Sequence, residues 1–224
     1  MTGADHPGTP NEAVSSSVRA QLLATEHWSL LASRSTTQNE LLVRIAIFLT
    51  LVSASVVSLA LVGQATEFDG RFDVFTILLF SILLLVGTLT LLRVLNGGDE
   101  DLAYVIGMNR LRAAYTEIDP GIDHYFVSSR YDDDRGIGQT YAYFPHGSEV
   151  LQPLASSMMF ILVVDAVVAG VLAGLAANAA DAPGAAVAIA AAAASIAYFT
   201  GWSWYFLRRY RAFQRDYEAL FPHP

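Results

Sequence analysis

The amino-acid sequence predicts an all-α membrane protein: four transmembrane helices as two hairpins, with amphipathic N-terminal, middle and C-terminal cytoplasmic helices. Three observations lead there. The 224 residues are 54% hydrophobic and only 15% charged, against about 25% charged in an average soluble domain. Four apolar runs fall at 43–62, 74–95, 158–177 and 184–207, each of the roughly 20 residues that a helix needs to span ~30 Å of hydrocarbon. Arginine is gathered on one side of those runs. Backbone groups in lipid must bond within their own segment, so the runs are helices and not single strands.

Composition removes several function classes. There is no cysteine, hence no disulfide, thiolate metal site or thiol nucleophile. All 13 basic residues are Arg, so chemistry that needs Lys is excluded. The absence of Lys beside abundant Ala reads as the bias of a GC-rich bacterial genome. A net charge of −8 argues against nucleic acid as a partner.

Residues 1–8 read as a disordered tail and 9–42 as a cytoplasmic helix and linker. The N-terminus lacks the basic start and short apolar core of a signal peptide. Thr9-Pro10-Asn11-Glu12 is a capping box with Pro at the first helical position, which starts a helix running to about residue 33. Glu12, Arg19 and Glu26 mark one face of it. Val14, Val18, Ala24, Trp28 and Leu31 mark an apolar one, suited to the membrane surface or to other cytoplasmic helices. Thr37-Gln38-Asn39-Glu40 forms a second box that starts the first span.

Residues 43–95 make transmembrane hairpin 1, with Phe68, Phe72 and Phe75 at its outer interface. The segment 96–157 follows on the cytoplasmic side. Asn96-Gly97-Gly98 is expected to break the helix, and a new one spans about 99–118, with acids at its start and Arg110 and Arg112 toward its end. Tyr104, Met108, Leu111, Tyr115 and Ile118 recur at spacings of four and three on one face, and Val105 and Ile106 lie off it. The remainder, from His124 on, reads as short turns with one short helix or hairpin. Residues 158–207 make transmembrane hairpin 2, with Trp202, Trp204 and Tyr205 at the inner interface. Residues 208–224 continue as a basic cytoplasmic helix with an aromatic stripe of Tyr210, Phe213, Tyr217 and Leu220.

Orientation follows from arginine. Only Arg71 falls between the outer ends of the spans, and the other twelve lie on the opposite side. The positive-inside rule then places both termini and the middle segment in the cytoplasm of a bacterium, in a multi-pass protein of the inner (plasma) membrane. The segment 95–157 holds ten acids and four Arg, a net charge of −6, opposite in sign to the Arg-rich tail.

The segment DLAYVIGMNRLRAAYTEIDPGIDHYFVSS resembles a group of bacterial four-span integral membrane proteins that share a GMNRLRxxY cytoplasmic helix followed by a Pro and a Tyr-Phe pair. The likeness extends from about the first span to residue 134. It implies a four-span membrane protein and brings with it no activity and no functional residues.

Chemistry-bearing residues are few. Asp165 lies inside the third span, where a carboxylate costs on the order of 2.5–3.5 kcal/mol, so it faces the bundle interior. Residues at similar depth are Ser53, Thr88, Thr90, Tyr198, Thr200 and Ser203, and Arg93 stands at the inner end of the second span within possible reach. Such a cluster is either an ion or proton site or a packing hydrogen bond. Ala166, Gly170 and Gly174 form a small-residue ladder, and Gly184, Ala188 and Ala192 repeat it on the fourth span, a pattern for close helix contact. Arg208, Arg209, Arg211 and Arg215 suit anionic lipid headgroups. Asp132, Asp133 and Asp134, with Asp123, His124 and His146, lack a metal-binding spacing and read as a solvated acidic loop. Gly136-Ile137-Gly138 does not follow a strand and is no nucleotide loop.

The expectation is therefore a non-enzymatic membrane protein acting by assembly or interaction, with no cofactor and no metal. Its partners are the lipid bilayer and further copies of itself. The alternative is a small oligomeric channel or ion-coupled transporter using Asp165.

Overall fold

A computed structural model describes residues 15–141 and 156–224. The expected disordered tail, the Thr9–Glu12 box and His146 lie outside the described residues. Helices α1 (Ser16–Ala65) and α2 (Gly70–Ile118) are followed by a 3-10 turn (Pro120–Tyr125) and the short α3 (Asp134–Tyr141). Helices α4 (Ser157–Ala179) and α5 (Gly184–Asp216) complete the chain. No strand occurs among the described residues. Four helices, α1, α2, α4 and α5, are long and apolar enough to cross a membrane, the architecture of a helical multi-pass membrane protein.

The helices are longer than the spans. With 50 residues, α1 measures about 75 Å at 1.5 Å per residue, more than twice the ~30 Å of hydrocarbon. Half of α1 and half of α2 therefore extend past the apolar section as a polar-end stalk. The links between them are short. Residues 66–69 join α1 to α2, with Glu67 and Phe68 at φ 51° and 58°, and the missing side chain of Gly63 leaves room for the Phe68 ring. Asp69 caps α2 by accepting from the Arg71 amide at 2.9 Å, and Ser156 caps α4 by accepting from Met159 at 3.2 Å.

Two expected helix breaks are absent. Thr37 starts no helix, because α1 runs straight through it. The amide donors that a cap would satisfy already have carbonyl partners within α1. Thr37 is buried instead, and its Oγ1 donates to Glu100 Oε2 at 3.1 Å. Asn96-Gly97-Gly98 likewise lies within the unbroken α2. Each glycine costs about 1 kcal/mol in a helix, and here contacts with α1 on both sides of the pair offset that cost. Gly97 lies against Leu41, where a Cβ would crowd the leucine methyl groups.

The buried face of the α1 stalk also differs from the expected one. Val18, Trp28 and Leu31 are exposed. The face turned to α2 is Ala20, Leu23, His27, Leu30, Arg34, Thr37 and Leu41, all partly or fully buried, recurring at alternating spacings of three and four as in a coiled-coil seam. It continues into the apolar section as Ile45 and Phe48.

Contacts run from α1 to α2, from α2 to α4 and from α4 to α5, so α1 and α5 are the outer members. At the end of the apolar section next to the stalk, Ile45, Phe48, Leu91, Val94, Ile161 and Leu162 form a core closed by Tyr198, Phe199, Trp202 and Phe206. A second core sits in the polar end, where Val105, Ile106, Met108 and Ile137 are covered by Leu30, Leu102, Phe213 and Tyr217. Val105 and Ile106 thus join α2 to three neighbours, α1, α3 and α5. The tail helix is shorter than expected: α5 ends at Asp216, and Tyr210 and Leu220 of the expected stripe are exposed.

The ladder on α4 faces α5, but α5 meets it with a different face. A Cβ on Gly170 would overlap Ser195 Oγ and crowd the Ala191 carbonyl, while one on Gly174 would touch Ala191 Cβ at 3.4 Å and approach Val187. Gly184, Ala188 and Ala192 are exposed. The helix is turned by about one residue because this places Tyr198, three residues past Ser195, against Asp165. Gly170→Ala must therefore displace the α5 backbone and should destabilise by about 1–3 kcal/mol, the range for overpacking. Gly174→Ala should be close to neutral. Thermal unfolding in detergent micelles compares them, and equal melting of the two variants would contradict this packing.

Candidate functional site

Inside the apolar section the side-chain hydrogen bonds between helices reduce, among the described residues, to one short chain. Asp165 on α4 is fully buried. Its Oδ2 accepts from the Tyr198 hydroxyl at 3.2 Å, and that hydroxyl shares a hydrogen bond of 2.8 Å with Thr88 on α2. The cluster therefore ties α4 to both of its neighbours. Asp165 fits because position 87 is glycine: a Cβ there would overlap the carboxylate. Among the described residues Oδ1 has no hydrogen-bond partner.

The other residues expected at this depth do not join. Ser53 donates to the Leu49 carbonyl at 2.9 Å, Thr90 to Val86 at 2.8 Å and Thr200 to Ile196 at 2.7 Å. A hydroxyl in an apolar helix satisfies itself this way on the turn before it. Ser203 lies five residues beyond Tyr198, on a different face of α5. Arg93 turns away from Asp165 to bind Glu40 at 2.9 Å and Glu100 at 2.7 Å. A guanidinium in reach of two carboxylates near water has no reason to enter the apolar interior.

The polar end is organised by ion pairs between α1 and α2. Arg34 grips Asp101 at 2.6 and 3.2 Å, and Gln38 and Tyr141 also donate to Asp101. Burial pushes the Asp101 carboxyl up, but the hydrogen bonds from Arg34 and Tyr141 outweigh it and hold it below the usual value. Hydrogen bonds from Arg93 and Arg44 hold Glu40 down at about 2.

The GMNRLR segment has a structural explanation. Gly107 admits Leu30 of α1. Asn109 is fully buried. Its Nδ2 donates to the Tyr131 carbonyl at 2.8 Å, and its Oδ1 accepts from Arg112 at 2.8 Å and Thr140 at 3.0 Å. Arg110 donates to Asp132 Oδ2 at 2.7 Å. The segment is the framework on which residues 129–140 fold.

Two of the aspartates expected in a solvated loop, Asp132 and Asp133, instead form a clasp for the C-terminal tail, while Asp134 is exposed. Asp132 is fully buried, and besides Arg110 it accepts from the Tyr217 hydroxyl at 3.0 Å and from the amides of Leu220 at 3.1 Å and Phe221 at 2.7 Å. Asp133 accepts from the His223 amide at 2.8 Å, lies 2.8 Å from His223 Nδ1 and receives the Gly136 amide at 2.8 Å. Asp134 opens α3 and accepts from Gln214, and Asp123 pairs with Arg130. Gly136 lies inside α3, packed against the Tyr131 backbone. No group of His, Asp and Glu suited to a metal occurs among the described residues. Reading the sequence missed the clasp because its two halves are nearly 90 residues apart. The only local sign was three adjacent aspartates, an unusual density of charge to leave unpaired.

Of the four tail arginines, Arg209 is committed inward, to Asp99 and to Asn96 Oδ1. Arg208, Arg211 and Arg215 are exposed on the opposite side. No protein-family model, curated protein or solved structure matches the chain.

Tyr198→Phe removes both bonds of the intramembrane chain and should cost about 1–3 kcal/mol. Asp165→Asn keeps an acceptor for Tyr198 and should cost less, whereas Asp165→Leu both strips Tyr198 of its acceptor and crowds Gly87. Unfolding in micelles ranks the three, and a Tyr198→Phe variant as stable as the parent would remove the cluster from the fold's energetics.

The clasp makes a separate prediction. Burial raises Asp132 and Asp133, but Arg110 and the Phe221 and Leu220 amides outweigh it at the first and the His223 and Gly136 amides at the second, and both carboxyls lie below the ordinary 3.8. Depressed folded values mean that the stabilisation is complete above the ordinary carboxylate range and is lost as pH falls through the folded values. Tail release should therefore begin only below about pH 4 and be absent at pH 6. Asp132→Asn should release the tail at neutral pH. Chymotryptic cleavage after Tyr217 at neutral pH reports release, and an Asp132→Asn variant cut no faster than the parent would contradict the clasp.

Proposed function

We propose that the protein is a non-enzymatic integral protein of the bacterial inner membrane that acts by assembly or interaction. In this reading its spans form two hairpins, and both termini and the helical stalk lie in the cytoplasm. One observation carries it: the side-chain hydrogen bonds between spans among the described residues end at Asp165, Tyr198 and Thr88, beyond which Ser195 is the one polar residue in 166–177 and 184–197, and the hydroxyls farther along α1 and α2 donate to their own helix backbone. A conducting path needs polar groups or a water-filled lumen along its whole depth. The outer helices α1 and α5 leave apolar faces for lipid or for further copies. The stalk supplies a rigid body of interlocked helices and ion pairs, suited to contact and not to turnover.

A second reading, a small oligomeric channel or ion-coupled transporter, is favoured by one feature. Asp165 Oδ1 is buried with no hydrogen-bond partner among the described residues, and intramembrane carboxylates mark ion or proton pathways in other proteins.

Two measurements separate the readings. Native mass of the protein in lipid nanodiscs reports its assembly, and ion or proton flux into proteoliposomes reports conduction. The assembly reading expects a defined complex and flux no greater than in empty liposomes. Flux in the parent that disappears in a folded Asp165→Asn variant would replace it with the second reading. Reporter fusions after residues 66 and 180 should lie outside the cytoplasm and one at the C-terminus inside, and an external C-terminus would reverse the orientation.

A further inference from the structure

The outward face of α5 where it leaves the apolar section carries three exposed arginines. Arg208, Arg211 and Arg215 follow Trp204 at spacings of four, three and four and so share one stripe. None has an acidic partner within ion-pair distance among the described residues, in contrast to Arg209, which Asp99 engages. With Leu207 and Gln214 they line a groove of about 470 Å³. The Arg208 guanidinium lies 5.4 Å above the Trp204 ring, and Arg215 Nε donates to the Arg211 carbonyl at 3.2 Å, so two of the side chains are held along the groove. Three like charges within two turns of helix repel one another, and an anion between them relieves that repulsion.

We propose that this groove binds the headgroup of an anionic phospholipid. Phosphate is the anion that guanidinium groups match best, through paired parallel hydrogen bonds. The lipid source is favoured by the far end of the groove, where Trp204 and Leu207 are 61% and 45% exposed. Trp marks the headgroup level of a membrane helix, so the apolar end of the groove lies beside acyl chains and its Arg end beside phosphates. The site rests on α5 crossing a membrane and is independent of whether the protein works by assembly or conduction.

The test uses the full-length protein in micelles, with lipid retention read by native mass spectrometry. Phosphatidylglycerol should be retained in preference to phosphatidylcholine. The triple variant Arg208→Gln, Arg211→Gln, Arg215→Gln should bind phosphatidylglycerol on the order of a hundredfold more weakly, with unchanged helicity because the three side chains are exposed. Arg71→Gln, at the opposite end of the spans, should bind as the parent does. Equal retention of the two lipids, parent-like binding by the triple variant, or an equal loss in Arg71→Gln would each overturn the site. Displacement of the lipid by equimolar inorganic phosphate would overturn the lipid assignment in favour of a free-phosphate site.

Discussion

A fully buried carboxylate, that of Asp132, sets the conditions for the polar end of this protein. An ionised group out of water is costly unless it is paired and hydrogen-bonded. Asp132 meets that demand with donors from two separated parts of the chain: Arg110 on α2, and the C-terminal segment through the Tyr217 hydroxyl and the Leu220 and Phe221 amides. The end of α5, the reversal of the tail and the loop before α3 must therefore all be in place together. Asn109, one residue before Arg110, holds the other side of the same loop. Because Asp132 uses backbone amides of the tail, the clasp depends on the path of those residues more than on their side chains. His223 adds the side-chain component through Asp133.

The membrane-spanning part obeys a different rule. Lipid supplies no hydrogen bonds, so a polar side chain finds its partner within its own helix or at a helix contact, and Asp165 Oδ1 is the buried side-chain atom among the described residues that finds none. Serines and threonines donate to the carbonyl one turn back along α1, α2 and α5. Asp165 has no such option, since a carboxylate cannot donate when ionised and reaches forward to Tyr198 instead. Its place against Gly87 shows why close packing and polarity are linked here: the glycine that lets α2 approach α4 also vacates the volume that the carboxylate fills. Arg93, at the border of the two regimes, goes to the carboxylates of Glu40 and Glu100 and so marks where the apolar section ends.

Between these regions the stalk of α1 and α2 is a two-helix seam held by both apolar and charged positions. Leu30 enters against Gly107 and Leu41 against Gly97, while Arg34 and Thr37 reach across to Asp101 and Glu100. The glycines set the distance between the helices, and the charges set their register. Exposed pairs such as Arg19 with Glu117 contribute little, whereas the half-buried Arg34–Asp101 contact penalises any slip along the seam.

Features that depend on composition along a short window are legible in the amino-acid sequence. Four apolar runs of bilayer length specify four long helices, Asp165 is recognisable as a carboxylate that must face inward, and the Tyr104–Ile118 segment shows its helical period. Tertiary structure decided everything that depends on a partner far away in the chain. Thr37 and Glu40 have the spacing of a cap, but whether they cap or cross-link turns on the presence of Glu100 and Arg93 beside them. Gly97 and Gly98 look like a break until Leu41 is packed against the first of them. The seam of α1 contains His27, Arg34 and Thr37, so a search for apolar periodicity selects the wrong face. Gly184, Ala188 and Ala192 repeat the small-residue spacing as regularly as the true contacts Val187, Ala191 and Ser195 do, and only the rotation imposed by Tyr198 on Asp165 distinguishes them. The three aspartates carry no local mark of burial, because the amides that bury the first of them belong to the last five residues of the chain. Local pattern fixes the type of an element through backbone and solvent, whereas the choice among its faces is made by whatever packs against it.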